Sequence, residues 1–285
     1  MKPNSSPVTM TESQETTPPV RTSMLRSTLL LFPVNFIQIV FHEGGHALHT
    51  LALGGPVSMF YVHPFSLPGY VRPIFEWDNV WFHFSGAALV LSVSLLIFSL
   101  CWKHRSVSFL PLLMFFPWIW MFQSFSILLI QGDFSNIMVL TGISPIVFRV
   151  TGSILAAAGI FFFVSLFPLL GLAPKELKSL FVVPAAFFLW ALVGLIVGYL
   201  FVSGSPINVV YGLGVEILSI AKVTSVVYLI SGVILAVIYV TLYRWIYPRL
   251  PAWLRTETVQ LVWKDLRLPA LLAAVSVVIG LIIIT

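Results

Sequence analysis

Long apolar runs separated by short polar or proline-containing connections dominate the pattern of this 285-residue chain. A run of about 20 apolar residues can cross the ~30 Å hydrocarbon core of a membrane as a helix. Such runs lie at 27–53, 80–102, 107–130, 147–170, 179–202, 223–247 and 269–285. The pattern predicts an all-α polytopic membrane protein with about seven transmembrane helices, or six if the short last run does not cross.

The connection after the first apolar run has a different pattern. In residues 54–79, proline and glycine interrupt two short β-prone pieces, Val57–Val62 and Tyr70–Ile74. Such interruptions are typical of a β-hairpin or a re-entrant loop. Because it follows the first helix directly, this segment could align an extended peptide through main-chain hydrogen bonds.

The remaining chain divides by composition. Residues 1–26 are rich in Ser, Thr and Pro, which predicts a disordered tail. Residues 27–145 hold three apolar runs and most candidate chemistry, so we interpret them as a functional core. Residues 146–285 are predicted to form a transmembrane scaffold, in which residues 250–267 mix charges with apolar positions as a helix on the membrane surface does.

Composition and charge narrow the class of protein. The chain is 59% hydrophobic and 9% charged, with a mean hydropathy of +1.01, which excludes an ordinary soluble domain. Cys101 is the only cysteine, so neither an intrachain disulfide nor a thiolate metal cluster can form. The expected surroundings are the lipid bilayer of a cell membrane, and no nucleic-acid partner is expected.

The basic residues indicate an orientation. With a cytoplasmic N-terminus, only Arg72, Arg149 and Lys222 of the 15 Lys and Arg residues fall on the outer side. Cytoplasmic connections carry the excess of Lys and Arg in membrane proteins. The distribution therefore predicts a cytoplasmic N-terminus, with the later half of the first span nearer the extracytoplasmic side.

That later half carries the string HEGGH, which fits the H-E-x-x-H pattern. His42 and His46 are four residues apart and so lie on one face of a helix. Two imidazoles at this spacing can bind one Zn²⁺, and Glu43 can then act as general base on a metal-bound water. The pattern predicts a zinc site inside the membrane.

A polar stripe extends around this motif. Asn35, Gln38, His42, His46 and His49 fall within roughly 80° of one helix face. Hydrocarbon cannot satisfy such side chains, so the stripe must face protein or a wet cavity. Asn35 and Gln38 could orient substrate or stabilise an oxyanion, and His49 could support the metal ligands; the alternative is a set of packed polar residues.

Catalytic zinc usually takes three protein ligands and a water. Asp133, after the third apolar run, is the only carboxylate between Asp78 and Glu176, and it is our candidate third ligand. If the third helix continues to Asp133, Gln123 and Ser126 can share a face with it. The alternatives are a helix-capping role for Asp133 and ligation by His49. Glu76, Asp78 and His83 cluster near the outer end of the second span. Each could be a metal ligand or a proton relay, but we interpret them as wet interfacial residues.

These motifs together resemble the site-two protease family of intramembrane zinc metalloproteases. The HEGGH helix, the string FSLPGYVRP at 65–73 and FHFSGAALVL at 82–91 carry the resemblance, which covers residues 27–145. It implies a third ligand at Asp133 and a substrate-contacting loop that includes Gly69 and Tyr70. The chain departs from the family pattern in having Phe134 after the aspartate, where the family has glycine.

The expected function is hydrolysis of peptide bonds in membrane-embedded protein or peptide substrates by metal-activated water. One alternative is a metal or ion transporter, although the second half of the chain lacks the coupled polar sites that transporters commonly have. Another is a homologue that binds membrane partners without catalysis.

Overall fold

The structure is a computed structural model that describes residues 20–62, 64–65, 70–73, 79–130, 132–172, 181–197, 243–259 and 261–284. Most of these residues are helical. The helices are α1 (Val20–Ala52), α2 (Val80–Cys101), α3 (Leu110–Leu129), α4 (Asp133–Thr141), α5 (Pro145–Leu166), α6 (Val182–Val197) and α7 (Arg267–Ile284), and the strands are β1 (Val57–Tyr61) and β2 (Tyr70–Pro73).

Four helical segments are long and apolar enough to cross a membrane. They are Arg21–Ala52, Val80–His104, Leu110–Leu129 and Pro145–Leu170. The predicted count of seven is wrong for the described residues. Helix α6 has 16 residues and is about 24 Å long, whereas most of the predicted sixth span lies outside the described residues. Helix α7 has 18 residues and begins with a charge at Arg267, so its apolar length falls short of a full span.

Helix α1 is central, with α2, α3, α6 and α7 packed around it. It begins at Val20, so the predicted disordered tail of residues 1–26 is wrong from that residue onward, while residues 1–19 lie outside the described residues. The reason is burial: Thr22 and Arg26 are inaccessible to solvent, and the Arg26 guanidinium donates a hydrogen bond to the Val107 carbonyl (2.9 Å). Tertiary packing here outweighs a composition typical of disorder.

The connection after α1 forms a hairpin. Strands β1 and β2 pair antiparallel, with Tyr61 opposite Tyr70, and both strands contact α1. Phe65 is fully buried, and its carbonyl accepts a hydrogen bond from Asn35 Nδ2 (2.8 Å). The neighbouring Pro64 carbonyl accepts one from Trp190 Nε1 of α6 (3.2 Å). These bonds tie the hairpin to two helices.

The third helix does not continue to Asp133, so the condition for a shared helix face with Gln123 is not met. Helix α3 ends at Leu129, and Ile130 and Gly132 both have positive φ, at 52° and 59°. Left-handed backbone stops a right-handed helix. Asp133 therefore begins the separate helix α4 and does not share a helix face with Gln123.

The segment 250–267 is not one interfacial helix, and that prediction is also wrong. It contains two short 3-10 turns, Ala252–Leu254 and Trp263–Leu266, joined by irregular backbone. Thr256 is buried, and its hydroxyl donates a hydrogen bond to the Ser165 carbonyl of α5 (2.6 Å). The middle of the segment is therefore buried against α5, whereas a helix on the membrane surface would leave it exposed.

Candidate metal centre

The candidate site lies where the later half of α1 meets the starts of α2 and α4. His46 is six residues before the end of α1, which places it about 9 Å inside that end. Helix α4 is held there by a small apolar cluster: Ala87, Ile127, Phe134, Ile137 and Phe148. The packing of this cluster gives α4 a defined position against α2.

Three ligand atoms face one another at this junction. Asp133 Oδ2 lies 3.0 Å from His42 Nε2 and 3.2 Å from His46 Nε2. The two imidazole Nε2 atoms are 3.4 Å apart. Tetrahedral ligands at zinc distances of about 2.0–2.1 Å are separated by about 3.3–3.4 Å. Within the described residues, this is the group whose spacing could hold a metal ion.

The orientation of the His46 ring leaves its Nε2 atom available to bind a cation. His46 Nδ1 lies 2.8 Å from the Phe82 carbonyl oxygen, and a carbonyl only accepts, so Nδ1 carries the hydrogen. In the neutral ring, Nε2 then presents a lone pair to Asp133 Oδ2. Two lone pairs at this distance repel unless a proton or a metal ion lies between them. Metal-binding histidines usually donate their other ring N–H to a carbonyl or carboxylate in this way, which fixes the ring orientation.

His42 has a comparable partner in α3. Its Nδ1 lies 3.3 Å from the side-chain amide of Gln123, which is buried. The oxygen and nitrogen of an amide are interchangeable by a flip of the group. With the amide oxygen toward Nδ1, the ring donates from Nδ1 and leaves Nε2 free for a metal. Gln123 was noted in the sequence only as a residue that could share the face of Asp133.

The second oxygen of Asp133 has a partner that the sequence analysis set aside. His83 Nδ1 lies 3.1 Å from Asp133 Oδ1, so the interpretation of His83 as an interfacial residue is wrong. The side chain of His83 is nearly buried, with 11% of it exposed. The contact could not be predicted from the sequence, because a single histidine in a predicted helix belongs to no repeating pattern. It depends on where α4 packs.

The surroundings of the Asp133 carboxyl act on its pKa in opposite directions. Burial alone would raise the pKa of its carboxyl, but hydrogen bonds and charge interactions with His42 and His46 outweigh burial and hold the pKa well below its usual range. The site therefore offers one carboxylate and two imidazoles, a donor set that suits Zn²⁺.

Glu43 lies beside this group. Only 8% of its surface is exposed, and it directly follows the candidate ligand His42 on α1. The metal-capable group does not include Glu43. It is thus a buried carboxylate adjacent in the chain to a candidate ligand.

Two glycines allow α1 and α2 to approach closely at the site. A Cβ on Gly45 would lie 2.7 Å from the Ser85 carbonyl carbon and 2.8 Å from Gly86 Cα, whereas a Cβ on Gly44 would meet nothing within 4 Å. A Cβ on Gly86 would lie 2.5 Å from His46 Nε2. The close backbone approach therefore depends on Gly45 and Gly86.

The rest of the predicted polar stripe faces protein. Asn35 bonds the Phe65 carbonyl, and Gln38 Oε1 accepts from Trp118 Nε1 (3.1 Å). His49 Nε2 is buried without a hydrogen-bond partner among the described residues, and His49 does not join the metal-capable group. The roles of Asn35 and Gln38 toward substrate stay predictions.

The predicted loop residues are only partly described. The backbone of Tyr70 lies in β2, opposite Tyr61. Gly69, Glu76 and Asp78 lie outside the described residues. The substrate role that the family resemblance implies for Gly69 and Tyr70 stays a prediction.

The chain matches no protein-family model, no curated protein and no solved structure. The geometry of the site therefore carries the functional assignment. The resemblance to site-two proteases rests on the sequence motifs alone.

Proposed function

We propose that this protein is a zinc-dependent intramembrane peptidase, akin to the site-two proteases, with His42, His46 and Asp133 as ligands and Glu43 as general base. The observation that carries the proposal is the triangle of ligand atoms at 3.0–3.4 Å beside a buried carboxylate. Three protein ligands leave the fourth zinc position for water, as catalytic sites require.

The chemistry divides between the metal and Glu43. When bound, zinc supplies a nucleophile at neutral pH by lowering the pKa of its water and polarises the scissile carbonyl. The Glu43 carboxylate accepts the proton from the attacking water and delivers it to the leaving amine. General acid–base catalysis of this kind contributes about 10²–10⁴-fold in rate.

The hairpin is the reason to propose a peptide as the substrate. A protease cleaves a peptide bond in an extended segment, and the edge of a β-strand can hold such a segment by main-chain hydrogen bonds. Strands β1 and β2 follow α1 directly and contact it. An extended substrate segment paired with the hairpin would lie along the helix that carries His42 and Glu43.

The test is Glu43→Gln in full-length protein reconstituted into liposomes with a library of fluorogenic transmembrane peptides. The wild type is expected to cleave members of the library, and the variant to lose at least about 10²-fold in rate while retaining its zinc. Glu257→Gln is the matched control, because Glu257 is exposed on the segment that joins the two 3-10 turns.

Two results would contradict the proposal. One is cleavage at the wild-type rate by Glu43→Gln. The other is a zinc-loaded wild type that cleaves no member of the library, which would favour metal transport or partner binding. Zinc flux into the same liposomes separates these two alternatives.

A further inference from the structure

We propose that His83 is a positioning residue that makes Asp133 a ligand through one oxygen only. His83 Nδ1 lies 3.1 Å from Asp133 Oδ1, while Oδ2 faces His42 and His46. The inference rests on the metal-binding part of the proposed function. It adds a residue of α2 to a site whose expected ligands come from α1 and α4.

The direction of this hydrogen bond follows from the donor inventory. A carboxylate that binds a metal is deprotonated and only accepts hydrogen bonds, so His83 Nδ1 carries the hydrogen and donates it to Asp133 Oδ1. The Asn136 amide also lies near Nδ1, at 3.4 Å. The amide nitrogen of Asn136 faces Nδ1 in the structure, and a flip of the amide places its oxygen there, as a donor at Nδ1 requires. Two acceptors thus share one N–H and orient the ring.

The backbone position of Asp133 does not decide which of its two carboxylate oxygens faces the metal, because the carboxylate can turn about its last side-chain bond. Asp133 begins α4 directly after Gly132, whose φ is 59°. A carboxylate can bind a metal through one oxygen or both. Binding through both oxygens would occupy an additional coordination position and crowd the one that a catalytic water needs. The bond from His83 leaves Oδ2 as the available ligand atom.

The same bond links the helices that build the site. His83 lies in the first turn of α2, next to Phe82, whose carbonyl accepts from His46. Consecutive residues of α2 thus orient one histidine ligand and the carboxylate ligand. Outer partners of this kind typically contribute 10–100-fold to metal affinity.

The test compares His83→Asn with His83→Leu in purified full-length protein. Asn places an amide N–H close to where Nδ1 stands, whereas Leu fills similar space without a donor. Zinc affinity is measured by competition with a chromophoric chelator. We expect His83→Leu to weaken zinc binding about 10–100-fold and His83→Asn to stay within about threefold of wild type.

Two further variants complete the design. His83→Gln places its donor further from the backbone, so it should weaken zinc binding as Leu does; the Asn and Gln pair decides the outcome if His83→Leu does not fold. His104→Leu is the control, because His104 is exposed and should leave affinity unchanged. Absorption of the cobalt-loaded protein gives a second readout, since His83→Leu should shift it from four-coordinate toward five-coordinate Co²⁺.

The failures are distinguishable. If wild-type protein binds no zinc, the proposed function is wrong. If wild type binds zinc and the Asn, Gln and Leu variants bind it equally tightly, the positioning role of His83 is wrong. Equal losses in Asn and Gln would also overturn it, because the position of the donor would then not matter.

Discussion

Adjacent glycines in HEGGH should respond oppositely to alanine, because only one of them faces another backbone. Gly44→Ala adds a methyl group into open space, whereas the Gly45→Ala methyl would stand 2.7 Å from the Ser85 carbonyl carbon and 2.8 Å from Gly86 Cα. Carbon atoms in contact are normally about 3.5–4.0 Å apart. The backbones of α1 and α2 must therefore separate by roughly 1 Å to admit it.

The two substitutions share one energetic term and differ in another. Replacing glycine by alanine within a helix stabilises it by about 0.8–1 kcal/mol, and this gain applies at both positions. Overpacking typically costs about 1–3 kcal/mol, and this cost applies only at Gly45. We expect Gly44→Ala to be neutral or stabilising and Gly45→Ala to be less stable than Gly44→Ala by about 1–3 kcal/mol.

The zinc affinity of the two variants should differ in the same direction as their stability. Separation of α1 from α2 moves the Phe82 carbonyl away from His46 Nδ1, a hydrogen bond of 2.8 Å. Unfolding in detergent and zinc competition are measured on both variants. Gly45→Ala should lose both stability and zinc affinity, and Gly44→Ala neither. Equal behaviour of the two variants in both assays would refute the close approach of the helices at Gly45.

Two further substitutions test the ligand set and the hairpin anchor. Asp133→Ala should abolish stoichiometric zinc in metal analysis, whereas His49→Ala should retain it, because His49 lies outside the metal-capable group; loss of zinc only in His49→Ala would reverse the assignment. Asn35→Ala should destabilise the protein by about 1–3 kcal/mol, since the buried Phe65 carbonyl loses its donor. Unfolding in denaturant measures this cost, and an unchanged midpoint would contradict the anchoring role.

The motif on α1 was predictable because it depends on local geometry alone. A separation of four residues places His42 and His46 on one helix face in any α-helix. The first four spans were likewise predictable from the lengths of their apolar runs, because the thickness of the hydrocarbon core sets the length of a transmembrane helix. Asp133 was found by elimination, since few carboxylates exist in this chain.

The remaining features depend on contacts between distant residues. The break between α3 and α4 needs positive φ at Ile130 and Gly132, and isoleucine gives no signal for that conformation. His83 reaches Asp133 only because α4 packs against α2. The burial of Arg26 in α1 contradicts a composition typical of a tail, because neighbouring helices determine it.

The most direct test of the account is X-ray absorption at the zinc edge of wild-type protein in lipid. The account predicts one zinc per chain with two imidazoles and light-atom ligands at about 2.0–2.1 Å, without sulfur. A protein that takes up no zinc at saturating concentration, or a coordination sphere without two imidazoles, would contradict the claim that His42, His46 and Asp133 form a metal centre.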